Sequence, residues 1–190
     1  MTFVGAWRTL HAEGIAKLAA GEDARSIDIL ASYRVGEIRR VLGGGFRQRQ
    51  DASLRACFAN MWDRELAEAY RRKYFDRTPE YMQRALQESI EGLLGPCTVE
   101  AKREDDIKVS NVSNAPAASY EIRLTSQRIT FGYYRIDDVA FIVPMDIKKA
   151  QDPPPLAWVL DRETAPRAFE FYLNEFSRMF EEALPVYPGR

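Results

Sequence analysis

Histidine and cysteine are scarce in this sequence, which has 1 histidine and 2 cysteines among 190 residues. A zinc site of several histidines or clustered cysteines is therefore excluded. A Ser-His or Cys-His catalytic pair is excluded as well, unless His11 itself is the base. We interpret His11 as a structural residue of a helix-like stretch. Cys57 and Cys97 are too distant for a CxxC pair, and we interpret both as small buried hydrophobic residues. The sequence predicts no metal and no cofactor.

Long apolar runs and an excess of one charge are also absent. No run approaches the roughly 20 apolar residues that span a bilayer, and the start MTFVGAWRTLHAEG has no basic-then-apolar signal segment. Lys and Arg number 27 against 28 Asp and Glu, a net charge of −1, which argues against nucleic-acid binding through bulk positive charge. We expect a cytoplasmic protein that does not bind membranes.

The remaining composition is that of a folded domain, with 46% hydrophobic and 29% charged residues. We divide the chain into an N-terminal helix within residues 1–25 and a single α/β domain over residues 26–190. Apolar residues recur at near-helical spacing from Phe3 to Leu18, and Gly21 is a natural residue for the end of that helix.

The next segments alternate between strand and helix signals. Residues 26–31 form a short apolar run rich in β-branched residues, and a short helix is predicted over residues 35–42, stopped by the glycines at 43–45. A second strand is predicted over residues 52–59 and a helix over 61–74. This order predicts a parallel pair of strands joined by a right-handed crossover.

The second half of the chain begins with a strong helix signal. Thr78 is an N-cap, Pro79 stands at the first helical position, and the helix runs to Gly95. A strand is predicted over 98–102, a charged turn over 103–106 and a flexible loop over 110–119. Alternating or apolar runs at 120–124, 128–135 and 139–143 are typical of antiparallel hairpins.

The chain closes with a strand over 156–160 and a long helix that starts at Pro166. One face of this helix carries an aromatic stripe that includes Phe169, Tyr172, Phe176 and Phe180, which we interpret as core packing. The predicted fold is α/β. It has a mixed sheet with an N-terminal parallel β-α-β part, antiparallel C-terminal strands and a long C-terminal helix.

Three segments resemble phospholipase D-like domains, in particular those appended to bacterial helix-turn-helix regulators. They are the strand turn at 135–144, the segment 155–160 after a proline triplet, and the helix 169–185 that ends in a large aromatic residue, an alanine and a proline. The resemblance covers residues 26 to 185 and implies a phospholipase D-like fold with a regulatory role. The residues before 26 are too few for a helix-turn-helix. The regulatory effect of such a module would therefore be exerted through a partner or an oligomer.

The catalytic motif of that superfamily, HxKxxxxD, is missing. Counting back from Asp138 places Phe131 and Tyr133 at the histidine and lysine positions, and counting back from Asp137 places Thr130 and Gly132 there. The resemblance therefore implies a fold that has lost phosphodiester chemistry and keeps a cleft for binding. We read the two aspartates themselves as turn formers rather than as a metal or acid/base pair.

Ligands of open α/β sheets bind beyond the carboxyl ends of the parallel strands. The aromatic, polar and guanidinium groups there suit a small anionic or nucleotide-like ligand, although a structural role for Asp63 and Arg64 in the first helical turn is as well supported. Tyr134 and Arg135 are expected to join from a later strand. The predicted ligand-binding residues are Ser32, Tyr33, Arg34, Asn60, Trp62, Arg64, Tyr134 and Arg135.

Residues 34–55 contain six arginines against Glu37 and Asp51. Arginine suits phosphate and carboxylate recognition, so this segment could dock nucleic acid, a nucleotide or an acidic partner. We favour a solvated helix face and turn, because only Phe46 is available there for stacking on bases.

The sequence favours a non-catalytic ligand-binding or sensing module that acts through a protein partner or as a homodimer. One alternative is a phosphodiesterase or nuclease of the phospholipase D superfamily with an atypical site. Another is an interaction subunit of a larger complex, which exposure of Phe169, Tyr172 and Phe176 would favour.

Overall fold

The structure, a computed structural model, describes residues 2–6, 24–33, 45–73, 77–144 and 156–187. The ten strands are β1 (Thr2–Ala6), β2 (Ser26–Ala31), β3 (Ser53–Ala59), β4 (Thr98–Arg103), β5 (Asp106–Ser110), β6 (Ser119–Thr125), β7 (Phe131–Ile136), β8 (Val139–Pro144), β9 (Leu156–Asp161) and β10 (Leu184–Tyr187). The described helices are α1 (Gly45–Gln48), α2 (Arg64–Lys73), α3 (Pro79–Leu94) and α4 (Pro166–Glu182).

Eight strands form one mixed sheet in the order β1-β9-β8-β7-β2-β3-β6-β10. The three strands β2, β3 and β6 are parallel, and every other pair in this sheet is antiparallel. The predicted α/β class, with a parallel N-terminal part, antiparallel later strands and a long C-terminal helix, is confirmed. None of the described helices is both long and apolar enough to cross a membrane.

Residues at the ends of the helices, such as capping residues, glycine and proline, predicted the described helices α3 and α4 correctly. The Thr78 hydroxyl accepts a hydrogen bond from the Tyr81 amide at 3.2 Å, which caps α3 as the Thr-Pro pair predicts. Gly95 ends that helix with φ of +91°, a conformation that side chains other than glycine rarely adopt. Proline at the first turn of α4 likewise marks its start.

The N-terminal helix is wrong at its start, because residues 2–6 form strand β1, which pairs antiparallel with β9. Helical spacing of apolar residues does not exclude a strand in a segment this short, and pairing with a neighbouring strand outweighs local propensity. The remainder of that prediction and the helix over 35–42 lie outside the described residues. Gly45 begins the short helix α1.

The expectation that β6 and β7 form a hairpin is also wrong. Two strands, β2 and β3, lie between them, so β6 pairs in parallel with β3 while β7 pairs with β2. Only β7 to β8 forms the expected hairpin. Strand β10, which the sequence analysis does not predict, pairs with β6 and is the last described strand on that side of the sheet.

Alternation along the strands gives the sheet two buried faces. One face carries Tyr133 of β7, whose ring stacks on Phe176 of α4 with centroids 5.4 Å apart. The other face carries Tyr120 of β6, whose ring lies 6.3 Å from that of Phe46 in α1. Leu54 and Ile29 are fully buried on this second face. Helix α4 therefore covers the face that also carries the charged side chains described below.

Strands β4 and β5 form a separate two-stranded antiparallel sheet. Ile107 of β5 is buried, whereas β4 is exposed at nearly every position. At the tip of this hairpin, the backbone carbonyl of Glu104 accepts a hydrogen bond from Asn60 at 2.8 Å. The hairpin is thus attached to the carboxyl end of β3.

Candidate functional site

The carboxyl ends of β2 and β3 lie side by side, as the predicted ligand site requires. The Ala59 amide donates to the Ser32 carbonyl at 2.9 Å, and the Asn60 amide donates to the Thr125 carbonyl of β6 at 2.8 Å. These bonds bring Ser32 and Asn60 to one end of the sheet. Arg34 lies outside the described residues.

Asn60 is a structural centre of this end of the sheet. It is buried, its side-chain amide donates to the Glu104 carbonyl, and its Oδ1 accepts from the Trp62 amide at 3.0 Å. Its donor and acceptor groups are therefore engaged by the protein itself. A ligand at this end would need to be recognised by other side chains.

Trp62 and Arg64 are partly or fully exposed at this end of the sheet. The indole of Trp62 is half-buried and packs against the core. Arg64 is exposed in the first turn of α2 and makes no ion pair with any described residue. Asp63 caps that helix, because its Oδ1 accepts from the Leu66 amide at 3.0 Å. The structural reading thus holds for Asp63, while the guanidinium of Arg64 faces solvent.

Tyr33, at the carboxyl end of β2, is part of the hydrophobic core. It is buried, and its carbonyl accepts from the Ser89 hydroxyl of α3 at 3.2 Å. Tyr33 therefore ties β2 to α3 through its backbone.

Tyr134 and Arg135 do not join the others. Strand β7 is antiparallel to β2, with Tyr134 opposite Ile29 and Arg135 opposite Asp28. Arg135 consequently lies in the amino-terminal half of β2, away from Ser32. Adjacent strand residues point to opposite faces, so Tyr134 is separated from Arg135 as well. Tyr134 is buried, and burial raises the pKa of its phenol.

The chemically richest cluster lies around Asp28, beneath α4. The carboxylate of Asp28 accepts two hydrogen bonds from Arg55, at 2.8 and 3.0 Å, and one from Nε of Arg135 at 2.6 Å. Asp28 is only 1% exposed. Burial lowers the pKa of Arg55, but the hydrogen bonds and charge of Asp28 outweigh it, so the pKa is raised. The guanidinium of Arg55 therefore stays charged.

Arg135 is held by further contacts that anchor the turn after β7. Its Nη1 donates to the Ser26 hydroxyl at 3.1 Å and to the Asp137 carbonyl at 2.7 Å. The Asp137 carboxylate accepts from the amides of Arg25 and Ser26. Asp138 forms an ion pair with Arg162 at 2.8 Å. The interpretation of Asp137 and Asp138 as turn formers is therefore confirmed.

Aromatic rings of α4 close over the arginines. The guanidinium of Arg55 lies 5.0 Å from the ring centroid of Phe176 and 5.4 Å from that of Phe180. Arg123 of β6 lies 4.5 Å from Phe180 on the same side of the sheet. Phe169, Phe176 and Phe180 are buried, and Tyr172 is half-buried. The core-packing interpretation of this stripe is confirmed.

The residues at the positions of the HxK motif are packed within the protein. Tyr133 is fully buried, and burial raises the pKa of its phenol, with the negative charge of Asp28 adding to the effect. Phe131 packs edge-on against Tyr172, with centroids 5.3 Å apart. In the other alignment, Thr130 is exposed and Gly132 is buried. Neither alignment offers a nucleophile beside a lysine.

The described part of the arginine-rich segment is engaged in ordinary structural contacts. Arg47 donates to the carbonyl of Leu94 at 2.6 Å, and Arg49 pairs with Asp51 at 3.1 Å. Arg55 belongs to the Asp28 cluster. The pair of Arg49 with exposed Asp51 fits the reading of a solvated turn. Arg55 departs from that reading, because its guanidinium lies beneath α4 and binds buried Asp28. Arg34, Arg39 and Arg40 lie outside the described residues.

The two cysteines are free. Burial raises the pKa of the Cys57 thiol to about 12, which makes it a poor nucleophile at neutral pH. Burial and then the charge of Glu91 raise the pKa of half-buried Cys97. The described part of the chain contains no group of three histidine, cysteine or acidic residues placed to hold a metal ion.

Sequence reasoning missed the Asp28 cluster as a unit. A usable signal was present, because Asp28 is the one charged residue inside the apolar run 27–31. A carboxylate in a buried strand needs a charged partner. The partners themselves, Arg55 and Arg135, follow only from the register of β2 with β3 and β7.

Comparison with known proteins gives a fold likeness alone. No protein-family model and no curated protein match the chain. Among solved structures, it is similar to TrmBL2, described as an archaeal chromatin protein with a novel mode of DNA binding, at 10% identity and a TM-score of 0.46. The match covers 97% of this chain and 53% of TrmBL2, so the chain spans about half the length of that protein.

Proposed function

We propose that this chain is a non-catalytic ligand-binding or sensing module, built on a phospholipase D-like fold, that acts through a protein partner or as a homodimer. The supporting observation is the identity and packing of the residues at the HxK positions. Phe131 and Tyr133 occupy them and pack against Tyr172 and Phe176 of α4. The side chain of Phe131 has no nucleophilic atom, and the phenol of Tyr133 is fully buried with a raised pKa, so neither takes the role of the histidine or the lysine.

The Asp28 cluster supports the same conclusion. Its carboxylate is saturated by Arg55 and Arg135, so it is not free to act as a general base or to orient a nucleophile. Buried pairs of this kind fix the relative position of the strands and helix around them. The charged centre of the sheet is thus a structural support.

The ligand is proposed to bind at the carboxyl ends of β2 and β3, against Trp62 and Arg64. The half-buried indole offers an apolar wall, and the exposed guanidinium offers a charged fork with no ion-pair partner among the described residues. An aromatic wall beside an arginine suits a small planar anion such as a nucleotide or an aromatic carboxylate.

Thermal shift and calorimetric titration with ATP, AMP, citrate and inorganic phosphate test this function. We expect at least one of these anions to raise the melting temperature of the wild type. Arg64→Ala should weaken that binding by about ten- to a hundredfold, the loss of one charge-assisted hydrogen bond. Arg84→Ala is the control, since Arg84 is also an exposed helical arginine and lies at another position, where it pairs with Glu88.

Two results would contradict the proposal. Equal affinity of the wild type and Arg64→Ala for the bound anion would place the ligand elsewhere. Hydrolysis of bis(p-nitrophenyl) phosphate that stays with the protein through purification and is lost in Arg135→Ala would instead support the atypical phosphodiesterase.

A further inference from the structure

Strand β4 is an exposed edge strand within the described part of the chain. Among the described strands it pairs only with β5, and five of its six residues are exposed. An edge strand displays backbone N–H and C=O groups that can pair with another chain. A two-stranded sheet is also marginal by itself and is stabilised by a third strand.

We propose that β4 pairs with β4 of a second copy, giving a symmetric dimer through a four-stranded sheet in the order β5-β4-β4-β5. The proposal deepens the proposed function and rests on it for its biological meaning, because it names the partner that such a module needs. Pairing about a two-fold axis is antiparallel and reciprocal, so one contact on β4 is made twice.

The charges along β4 select this partner. With the axis at Ala101, Glu100 of each copy lies opposite Lys102 of the other, which gives two complementary cross-strand pairs. Lys102 makes no ion pair with any described residue of its own chain. Opposite charges in the matching order are what a second copy provides, whereas a strand of unrelated sequence carries them only by chance.

The hairpin register explains why Lys102 is available. The pairing of β4 with β5 shifts between Ala101 and Arg103, so Lys102 has no direct partner residue on β5. Glu100 lies opposite Lys108 within the hairpin. Charged side chains on an edge strand repel strands that carry like charges. A strand with complementary charges is not repelled and can pair. The dimer should be specific but weak, since six residues per strand are few beside a standard interface of roughly 1,600 Å².

Disulfide trapping tests the register directly. In a Cys97→Ser background, Ala101→Cys places two thiols on the two-fold axis, where directly opposite Cβ atoms are about 5 Å apart. We expect it to form a covalent dimer under mild oxidation. Thr98→Cys is the control on the same strand, because its two copies would be roughly 20 Å apart and should stay unlinked.

Charge exchange tests the same contact without a covalent bond. By sedimentation equilibrium, we expect the wild type to dimerise, Lys102→Glu to weaken dimerisation at least tenfold, and the double variant Glu100→Lys/Lys102→Glu to regain it. Melting temperatures of all variants check that each remains folded.

A monomer at millimolar concentration would overturn the proposal, as would a dimer that neither Lys102→Glu nor the position of the cysteine affects. A covalent link through Thr98→Cys rather than Ala101→Cys would overturn the register. None of these measurements involves the anion, so failure of the dimer and failure of ligand binding are separate outcomes.

Discussion

Nε of Arg135 lies 2.6 Å from Oδ2 of Asp28, although the two residues are 107 positions apart in the sequence. The contact arises from strand register, because β2 lies between β7 and β3 and places Asp28 opposite both Arg135 and Arg55. One carboxylate thereby accepts hydrogen bonds from two guanidinium groups under α4.

Replacing Asp28 by asparagine should destabilise the fold strongly. The amide keeps the shape but removes the negative charge, which leaves Arg55 and Arg135 facing each other in a half-buried site. Breaking a buried charge pair costs about 3–5 kcal/mol, to be measured as the change in free energy of unfolding in urea. Glu88→Gln is the control, since its pair with Arg84 is exposed and should cost less than about 1 kcal/mol. Losses of equal size would refute the structural role of Asp28.

Gly95→Ala and Gly132→Ala should differ in their effect on stability. Gly95 has φ of +91°, and an added Cβ would lie 3.0 Å from the guanidinium of Arg47 and from the Ser113 carbonyl. We expect Gly95→Ala to cost more than about 1 kcal/mol. At Gly132 the nearest atom, in the Tyr134 ring, would be 3.4 Å away, an ordinary contact. Thermal denaturation of both variants checks the difference, and a tolerated alanine at position 95 would contradict it.

Stability should fall above pH 9, in part through Cys57. Its thiol loses a proton near pH 9.0 when exposed, whereas burial raises its pKa to about 12 in the fold. The unfolded chain therefore binds fewer protons in this range, and the free energy of unfolding falls as pH rises. One such group contributes a slope of at most about 1.4 kcal/mol per pH unit.

Cys57→Ala should show a shallower fall between pH 9 and 10 than the wild type in urea titrations. Buried Tyr120, Tyr133 and Tyr134 also have raised pKa values, so both proteins should lose stability above pH 10. Identical slopes between pH 9 and 10 would show that the Cys57 thiol ionises freely in the folded state.

Asn60→Ala should destabilise the protein while Arg64→Ala should not. The alanine at position 60 leaves the Glu104 carbonyl and the Trp62 amide without their partner, a loss of about 2 kcal/mol. Arg64 is exposed and makes no ion pair with the described residues, so its removal should change stability by less than about 0.5 kcal/mol. Faster hydrogen exchange over residues 98–110 in Asn60→Ala would locate the effect in the hairpin. A higher melting temperature for Asn60→Ala than for the wild type would refute the structural role of Asn60.

The predicted ligand site shows where sequence reasoning reached its limit. Ser32 and Asn60 do come together, because both follow parallel strands and the carboxyl ends of parallel strands meet at one edge. Arg135 was placed with them, yet it lies at the other end of β2. Its alternation pattern is the same whichever neighbour β7 has, so only the partner and direction of that strand could locate it.

Features that depend on near neighbours in the chain follow from the sequence alone. The hydroxyl of Thr78 caps α3, Pro166 starts α4, and the apolar spacing of Phe169, Phe176 and Phe180 buries one helical face. Each rests on contacts within about a turn of helix, where local geometry is set by the residues themselves. The same holds for the β7 to β8 hairpin, whose strands are joined by a short turn.

Which strands are neighbours depends on the complete fold, and so does the grouping of charged side chains at the centre of the sheet. Residues 2–6 became an edge strand because β9 offers them backbone hydrogen bonds. Asp28, Arg55 and Arg135 became one cluster because β2 is inserted between β7 and β3. Pairing between distant segments is chosen by the sum of burial and backbone hydrogen bonding over the whole sheet, and no single segment carries that information.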